Sequence, residues 1–303
     1  MSGILVIGSL NMDMTFYVDH FPDVGQTISS LGFMMAPGGK GSNQALAASR
    51  LGAKVYMAGC VGEDLYANAL TDNLSENGVD TTLVQRIASM NTGLACITVC
   101  NGANMITLDA GANAKVTQAD IDGMESVFAD VDYVILQFEI PMSTVEYAAE
   151  VAHKHGCTVI VNPAPYKPIP QRLLKHTDYL IPNETEAKEL LGWDELSLQN
   201  VSEALNAIRD MGVKQPMITL GEKGVAYWDG DKCVVQGCVP VKAIDTTAAG
   251  DTFIGAMVSC LSAGKTLSQA VDFAQHAAAI CVTRKGAHSS IPMLSEVLGE
   301  YEN

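Results

Sequence analysis

Asp245-Thr246-Thr247-Ala248-Ala249-Gly250-Asp251 ends in a carboxylate where an apolar helix begins, and its reading decides the fold. Ala248, Ala249 and Gly250 are small enough to let a ligand reach the main chain. Thr252-Phe253-Ile254-Gly255-Ala256-Met257-Val258 continues as a helix that Gly264 would close. The first turn of a helix has unpaired N–H groups and partial positive charge, so it holds anions. An anion hole rimmed by a carboxylate suits phosphoryl transfer to a hydroxyl. The N–H groups of Ala248, Ala249 and Gly250 would stabilise charge on the moving phosphate, and Asp251 would accept the hydroxyl proton. The same residues also read as an ordinary helix cap, in which Asp251 or Thr252 bonds the first turn.

Pro37-Gly38-Gly39-Lys40-Gly41-Ser42-Asn43-Gln44-Ala45 is a second glycine-rich turn into a helix. Ser42 can cap, Ala45-Leu46-Ala47-Ala48 propagate, and Gly52 stops the helix. Glycines around Lys40 give a backbone that a polar ligand can approach. The stretch is not a P-loop, because Gly41 follows Lys40 and Met34 stands where that motif needs a glycine. Taken alone, it reads equally as a plain turn.

Around these motifs, short apolar runs alternate with helical patterns. Ile4–Gly8, Val55–Val61, Tyr133–Phe138, Thr158–Asn162, Tyr179–Pro182 and Met217–Leu220 lack polar alternation, as buried parallel strands do. Helices are expected at 42–51, 66–77, 117–128, 143–155, 184–191, 200–211, 250–263, 267–283 and 293–301. Thr117-Gln118-Ala119-Asp120 is a capping-box start, and Gly156 closes the helix before it. This order implies a doubly wound, mostly parallel α/β sheet sandwiched by helices, with ligands at the carboxyl ends of the strands. Met14–Val18 with Gln26–Met35, and Thr92–Cys100 with Asn104–Asp109, read as extra strands joined by turns such as Asn101-Gly102.

With 303 residues, 48% of them hydrophobic, the chain can bury a large core as one α/β domain or two smaller ones. The net charge of −16 argues against a nucleic-acid or anionic-membrane partner, so an anionic ligand must be met locally. Ile4-Leu5-Val6-Ile7 is too short and lacks the basic flank of a signal peptide, and no apolar run reaches a membrane span. The eight cysteines include Cys60, Cys96, Cys157, Cys260 and Cys281 in apolar surroundings. The closest pairs, Cys96/Cys100 and Cys233/Cys238, are not at zinc spacing. Buried free thiols in a cytoplasmic protein are the expectation.

The two glycine-rich motifs together resemble the signatures of the ribokinase, or phosphofructokinase-B, family of sugar and nucleoside kinases. Gly8-Ser9-Leu10-Asn11-Met12-Asp13, Asp109-Ala110-Gly111-Ala112-Asn113, Val161-Asn162-Pro163-Ala164-Pro165, Pro182-Asn183-Glu184-Thr185-Glu186-Ala187 and Val282-Thr283-Arg284-Lys285-Gly286-Ala287 extend the likeness in sequence order over essentially the whole chain. The resemblance implies a single domain over residues 1–303, with strands from about 14–36 and 92–109 forming a β-sheet lid over the sugar that also pairs with a second subunit. It implies transfer of a phosphoryl group from ATP to the 5-hydroxyl of ribose, with Asp251 as general base and Ala248, Ala249 and Gly250 as the anion hole. It assigns sugar contacts to Asn11, Asp13, Gly39, Lys40, Asn43, Glu139 and Asp251.

On the nucleotide side the resemblance points to Asn183, Thr219, Gly221, Gly224, Gly250 and Gln275. Gln275 stands where the family often has histidine, which leaves the adenine contact open. Glu186 belongs to an Asn-x-x-Glu motif associated with magnesium, while Asn183 and Glu186 also form a formal capping box. A potassium activator would lie at Asp245, Thr247, Cys281, Arg284, Gly286 and Ser290. By their residue types alone, Arg284-Lys285-Gly286 read as a basic helix end, Asn11 and Asp13 as an Asx turn, Lys40 as a solvated charge and Glu139 as a loop carboxylate. Ala248 replaces the first glycine of the family's commoner pattern, so the backbone there must accept a Cβ.

Rival readings are a family kinase for deoxyribose, a nucleoside or another sugar; a Rossmann dehydrogenase; and a nucleotide-binding regulator without activity. Gly8-Ser9-Leu10-Asn11 lacks the Gly-x-Gly-x-x-Gly turn that the dehydrogenase needs, and intact Gly250 and Asp251 disfavour the regulator.

Overall fold

A computed structural model describes residues 3–101 and 103–301. In chain order the strands are β1 (Gly3–Ile7), β2 (Asn11–Tyr17), β3 (Gly32–Gly38), β4 (Lys54–Gly62), β5 (Val79–Ile87), β6 (Gly93–Cys100), β7 (Ala103–Asp109), β8 (Val131–Leu136), β9 (Thr158–Val161), β10 (Tyr179–Leu180), β11 (Gln215–Thr219), β12 (Val225–Asp229) and β13 (Lys232–Gln236). The α-helices are α1 (Lys40–Arg50), α2 (Leu65–Glu76), α3 (Gln118–Gly123), α4 (Met142–Lys154), α5 (Gln171–Lys175), α6 (Glu184–Leu191), α7 (Val201–Asp210), α8 (Ala249–Ser262), α9 (Leu267–Val282) and α10 (Leu294–Tyr301).

Nine strands form one sheet in the order β13-β12-β11-β10-β9-β8-β1-β4-β5, and its pairs are parallel from β11 to β5. β12 and β13 add an antiparallel hairpin at one edge. Alternation within β1 explains the layers. Ile4 and Val6 enter a core with residues of α1, α2, α8, α9 and α10, while Leu5 and Ile7 enter a second core with residues of α3, α4, α5 and α7. All five residues of β1 are buried, which is why the strand reads as a continuous apolar run. A separate four-stranded sheet has the order β3-β2-β6-β7.

The doubly wound expectation holds, with four local differences. The segment expected as one helix over 117–128 divides into α3 and a 3-10 segment, Glu125–Ala129; the capping box at Thr117 and Asp120 is present. Helix α1 starts at Lys40, so Ser42 is not its cap; the Ser42 hydroxyl instead bonds the Gly38 and Gly39 carbonyls behind it. β5, β12, β13 and α5 have no counterpart among the strands and helices expected above.

Finally, β2 starts at Asn11, and β3 is Gly32–Gly38 rather than 26–35. Pairing of Asn11 with Gly38 and Tyr17 with Gly32 sets that register, and β2 also pairs with β6 in parallel along its whole length. Asn11 and Asp13 therefore lie on a strand, not in an Asx turn. In the β6–β7 connection Asn101 has φ 49°, and Gly102 lies outside the described residues.

Helices α1 and α8 pack at glycine. A Cβ on Gly255 would lie 2.6 Å from the Ala47 Cβ, 2.7 Å from the Gln44 carbonyl oxygen and 2.8 Å from the Ala48 nitrogen. Those atoms belong to a helix backbone and a buried alanine, so they cannot swing aside. Gly-to-Ala inside a helix normally gains about 1 kcal/mol in propensity. Here Gly255→Ala should instead destabilise by roughly 1–3 kcal/mol through overpacking. Denaturant titration checks the sign: a gain in stability would mean that the helices can part without cost.

Candidate active site

The carboxyl ends of β1 and β8, the start of β2 and the first turns of α1 and α8 converge on one cleft of about 700 Å³. Its walls include Asn11, Asp13, Gly39, Lys40, Asn43, Glu139, Glu186, Asp245, Thr247 and Asp251. A second, smaller cleft of about 190 Å³ is lined by Asn162, Asn183, Thr219, Ala249 and Gly250. Both are bordered by Lys40, Glu186, Thr246, Ala248 and Asp251. The larger cleft and a helix start thus meet at Lys40, Glu186 and Asp251.

Asp251 is 7% exposed and does not cap its helix. Its Oδ2 accepts from Asn43 Nδ2 at 2.9 Å and its Oδ1 from Gln44 Nε2 at 2.8 Å. Ala248 precedes α8 with φ 60° and offers no side-chain cap. The backbone does accept a Cβ there, in the left-handed region, at about 1–2 kcal/mol. The backbone that opens α8 thus lines the smaller cleft with only the small residues Ala248, Ala249 and Gly250, as an anion site needs, and the Ala249 N–H meanwhile donates to the Thr246 carbonyl at 3.2 Å.

Glu139 lies beyond β8, in the loop before Pro141. Its Oε2 accepts from Ser9 Oγ at 2.5 Å, Asn11 Nδ2 at 3.3 Å and the Lys40 backbone N–H at 3.1 Å. Asn113 Nδ2 donates to Asn11 Oδ1 at 2.7 Å. Two glycines make room for this cluster. A Cβ on Gly38 would stand 2.1 Å from Asp13 Oδ2, and one on Gly93 would stand 2.3 Å from Asn11 Oδ1.

The electrostatics follow from crowding. Burial pushes the Asp13 carboxyl up to about 7, with help from Glu139 and Asp251 and against Lys40. Burial pulls the Lys40 ammonium down, but the carboxylates of Asp251, Glu139, Glu186 and Asp13 outweigh it, so Lys40 is held above its ordinary range. Lys40 is therefore a partly buried charge among acids, not a solvated one. Burial also raises Glu186, against the N–H of Asn183. The capping box of Asn183 and Glu186 is present at 2.9 Å in both directions, yet Glu186 also borders both clefts.

Asp245 ties two loops together. Its Oδ1 accepts from Thr247 N at 2.9 Å and Thr247 Oγ1 at 2.6 Å, and its Oδ2 from Gly286 N at 3.0 Å. Cys281 Sγ lies 3.6 Å from the Thr247 carbonyl and 3.1 Å from Ser290 Oγ. Asp245, Thr247, Cys281, Gly286 and Ser290 are thus brought together. The Arg284 guanidinium is directed away, to Glu296 at 2.6 Å, and only its main chain stays near, donating to Cys281 O. Among the described residues no group of three or more His, Cys, Asp or Glu could hold a metal.

Thr219 bridges to Asn183 beside the smaller cleft. Gly221 and Gly224 line neither cleft; both have positive φ in the turn after β11, and a Cβ on Gly224 would lie 1.9 Å from the Gln236 carbonyl. Gln275 also lines neither. It is 7% exposed on α9 and donates to the Gln236 carbonyl at 3.5 Å.

Several site residues have no role in the sequence reading. Gln44, Ser9, Asn113 and Asn162 stand inside the quoted motifs, so their signal was position within a motif rather than residue type. His288 had none. It is 3% exposed and joins Ser42 Oγ at 3.1 Å to Asn73 Oδ1 at 2.6 Å, and burial, with Arg50 adding, pushes its pKa down to about 3. The cysteines are all free, but Cys96 is exposed and Cys260 only half-buried, because β6 belongs to the smaller sheet and α8 reaches the surface at Cys260.

A cleft edged by Asn11, Asp13, Lys40, Asn43 and Glu139 beside a helix N-terminus, with an aspartate between them, fits a phosphotransferase for a hydroxyl compound. The model of the pfkB family of carbohydrate kinases matches residues 1–294, and the chain belongs to that family. It is 41% identical to a ribokinase of Haemophilus influenzae, over 97% of each chain. It is 35% identical to a deoxyribokinase of Salmonella typhi, over 98% of this chain. Among solved structures it is similar to Arabidopsis thaliana ribokinase complexed with ribose and ATP, with a TM-score of 0.90, 33% identity and 98% of each chain covered.

The Asp13 shift fixes a pH dependence. Between pH 3.8, its ordinary value, and about 7, the unfolded chain releases a proton that the folded chain keeps. Folding therefore loses stability across that window as pH rises, and no more above it. Asp13→Asn should melt higher than the parent at pH 8 and alike at pH 4, with roughly 2–4 °C for each kcal/mol relieved. Thermal melts at the two pH values check this; equal shifts at both would remove Asp13 as the cause.

Proposed function

We propose that this chain is an ATP-dependent ribokinase that transfers a phosphoryl group to the 5-hydroxyl of D-ribose, giving ribose 5-phosphate and ADP. The observation that carries the reading is the place of Asp251, at the junction of the polar cleft and the α8 N-terminus. Asn11, Asp13, Gly39, Lys40, Asn43 and Glu139 would hold the sugar hydroxyls, since orientation decides which hydroxyl reacts. Asp251 takes the hydroxyl proton as the new O–P bond forms and the bond from the γ-phosphorus to ADP breaks. The N–H groups of Ala248, Ala249 and Gly250 stabilise charge on the transferred group.

Asn183, Thr219 and Gly250 would contact the nucleotide phosphates, with Gly221, Gly224 and Gln275 toward the base. Glu186, with a carboxyl on both clefts, suits a hard cation held through water, and magnesium there would neutralise phosphate charge. The oxygen-rich group of Asp245, Thr247, Gly286 and Ser290, with Cys281 and the Arg284 main chain, suits potassium, which would stiffen the loop before α8. We read residues 1–303 as one catalytic unit with the small sheet as lid. Phe33, Met35, Met105, Ile106 and Leu108 are all 43% or more exposed on that sheet, which supports a homodimer formed through it. Eight free thiols support a cytoplasmic enzyme, and no helix among the described residues is long and apolar enough to cross a membrane.

The similarity to a deoxyribokinase keeps 2-deoxyribose as the second reading. A panel of pentoses, hexoses and nucleosides with ATP, read by ADP release, tests the assignment. Ribose should give the highest kcat/KM; a clear preference for deoxyribose would replace it.

Asp251→Asn should lower turnover by about 10²-fold or more, because a positioned general base contributes that much. Calorimetry with an ATP analogue should show nucleotide binding unchanged. Near-normal turnover would remove Asp251 as the base.

Potassium replacing tetramethylammonium at constant ionic strength should raise activity, and Asp245→Ala should abolish the response. Fixed ionic strength matters because a −16 protein meeting anionic ATP responds to screening alone. A flat titration would refute the cation site and leave the kinase assignment standing.

A further inference from the structure

Three amides stand behind Asp251. Gln44, on α1, and Gln137, just past β8, are both fully buried. Gln44 Nε2 donates to Asp251 Oδ1 at 2.8 Å and to Asn162 Oδ1 at 3.2 Å, while Gln137 Nε2 donates to Gln44 Oε1 at 2.7 Å. Asn162 Nδ2 in turn donates to the Ile181 carbonyl at 3.0 Å.

The directions are forced. An ionised carboxylate only accepts, so Gln44 must present its NH2 to Asp251, and its carbonyl then faces Gln137. Gln137 must present its own NH2, which leaves its Oε1 buried without a partner among the described residues. An orphaned buried carbonyl is destabilising, and apolar side chains at both 44 and 137 would avoid it. Room for that carbonyl comes from Gly8, where a Cβ would lie 1.9 Å from Gln137 Oε1. A position that keeps an unfavourable group, and a glycine to house it, calls for a role other than stability.

We infer that Gln137 and Gln44 form a one-way amide relay that locks the Asp251 carboxylate in its proton-accepting orientation, which makes both of them positioning residues. The inference rests on Asp251 as general base. Without Gln137, the Gln44 carbonyl loses its donor and the amide is held only through its nitrogen, by Asp251 and by Asn162 Oδ1, so it can swing and let the carboxylate turn. With the relay set, Gln44 holds Oδ1 and Asn43 holds Oδ2 through one N–H each, and a second lone pair on each oxygen stays open to a sugar hydroxyl. Neither amide can take the proton onward, because each faces the carboxylate with nitrogen, so the proton remains on Asp251.

The test compares Gln137→Met, Gln44→Met, the double variant, Gly8→Ala and Asp251→Asn in the full-length enzyme. Gln137→Met should melt near the parent temperature, because it exchanges the orphaned Gln137 carbonyl for a Gln44 Oε1 without its donor, while kcat falls about 10-fold, as small misorientations do. Gln44→Met should fall further, and the double variant should be no slower than Gln44→Met alone. KM for ATP should stay at the parental value throughout. Gly8→Ala should lower kcat at least as far as Gln137→Met, since its Cβ would lie 1.9 Å from Gln137 Oε1 and 3.0 Å from the Gly41 Cα, so the inference stays testable if Gln44→Met does not fold. Parental kcat in Gln137→Met, additive losses in the double variant, or a lowered melt with kcat and both KM values shifting together would each overturn the relay. Asp251→Asn separates the two levels. If it is nearly as active as the parent, the base assignment fails; if it is inactive while Gln137→Met is normal, only the relay fails.

Discussion

The close approach of α1 and α8 at Gly255 is the contact on which the site depends. A helix packed against another through ordinary side chains stands 8–10 Å away, axis to axis. Here a glycine lets the α1 backbone near Gln44 and Ala48 come up to α8 itself. The two helix starts, each preceded by small residues, then point into the same space. Asn43 and Gln44 reach the Asp251 carboxylate only because of this, across a sequence separation of more than 200 residues. The parallel sheet supplies the rigid floor, since β1 and β8 end side by side below both helix starts.

Charge in this protein is handled locally. The whole chain is strongly acidic, and the cleft adds Asp13, Glu139, Glu186 and Asp251 around one Lys40. Such a cleft would repel a nucleotide if side chains alone faced it. The α8 start offers uncharged N–H donors instead, on a backbone held by Asp245 and its three hydrogen bonds. Donors fixed before the ligand arrives need no reorganisation during the reaction. The site also carries unfavourable features: a raised Asp13, a left-handed Ala248 and, behind Asp251, a Gln137 carbonyl without a partner among the described residues. All three lie where the ligand or the general base would be, a pattern expected where binding and stability compete.

The small sheet shows how two faces of one strand can be used. Asn11, Asp13, Thr15 and Tyr17 alternate along β2 toward the cleft, while Met12 turns the other way into the main core. The register with β3 sets Gly38 opposite Asn11, so β3 runs directly into the turn that carries Lys40. Strand β3 and the glycine-rich turn are therefore one continuous piece of backbone. A ligand held by β2 would be felt by α1 without any intermediary.

The sequence by itself determined the α/β class, the central strands and most helices. Buried parallel strands must be apolar throughout, and glycine with capping residues must mark helix ends. It also determined the two glycine-rich motifs, and their resemblance to a kinase family supplied the candidates Asp251, Asn11, Asp13 and Glu139, which residue type alone left as a helix cap, an Asx turn and a loop carboxylate. Only the tertiary structure decided what β5, β13 and α5 become, since edge strands and single-turn helices draw their stability from neighbours rather than from their own pattern. It alone placed Asn11 and Asp13 on a strand, because strand register is a property of pairs. It separated Gly221, Gly224 and Gln275 from the two clefts and turned the Arg284 side chain to Glu296. It also brought Gln44 and Gln137 behind Asp251 and His288 against Ser42: a buried amide or imidazole has no periodicity to reveal it, and its role comes from the partners that folding brings within hydrogen-bond reach.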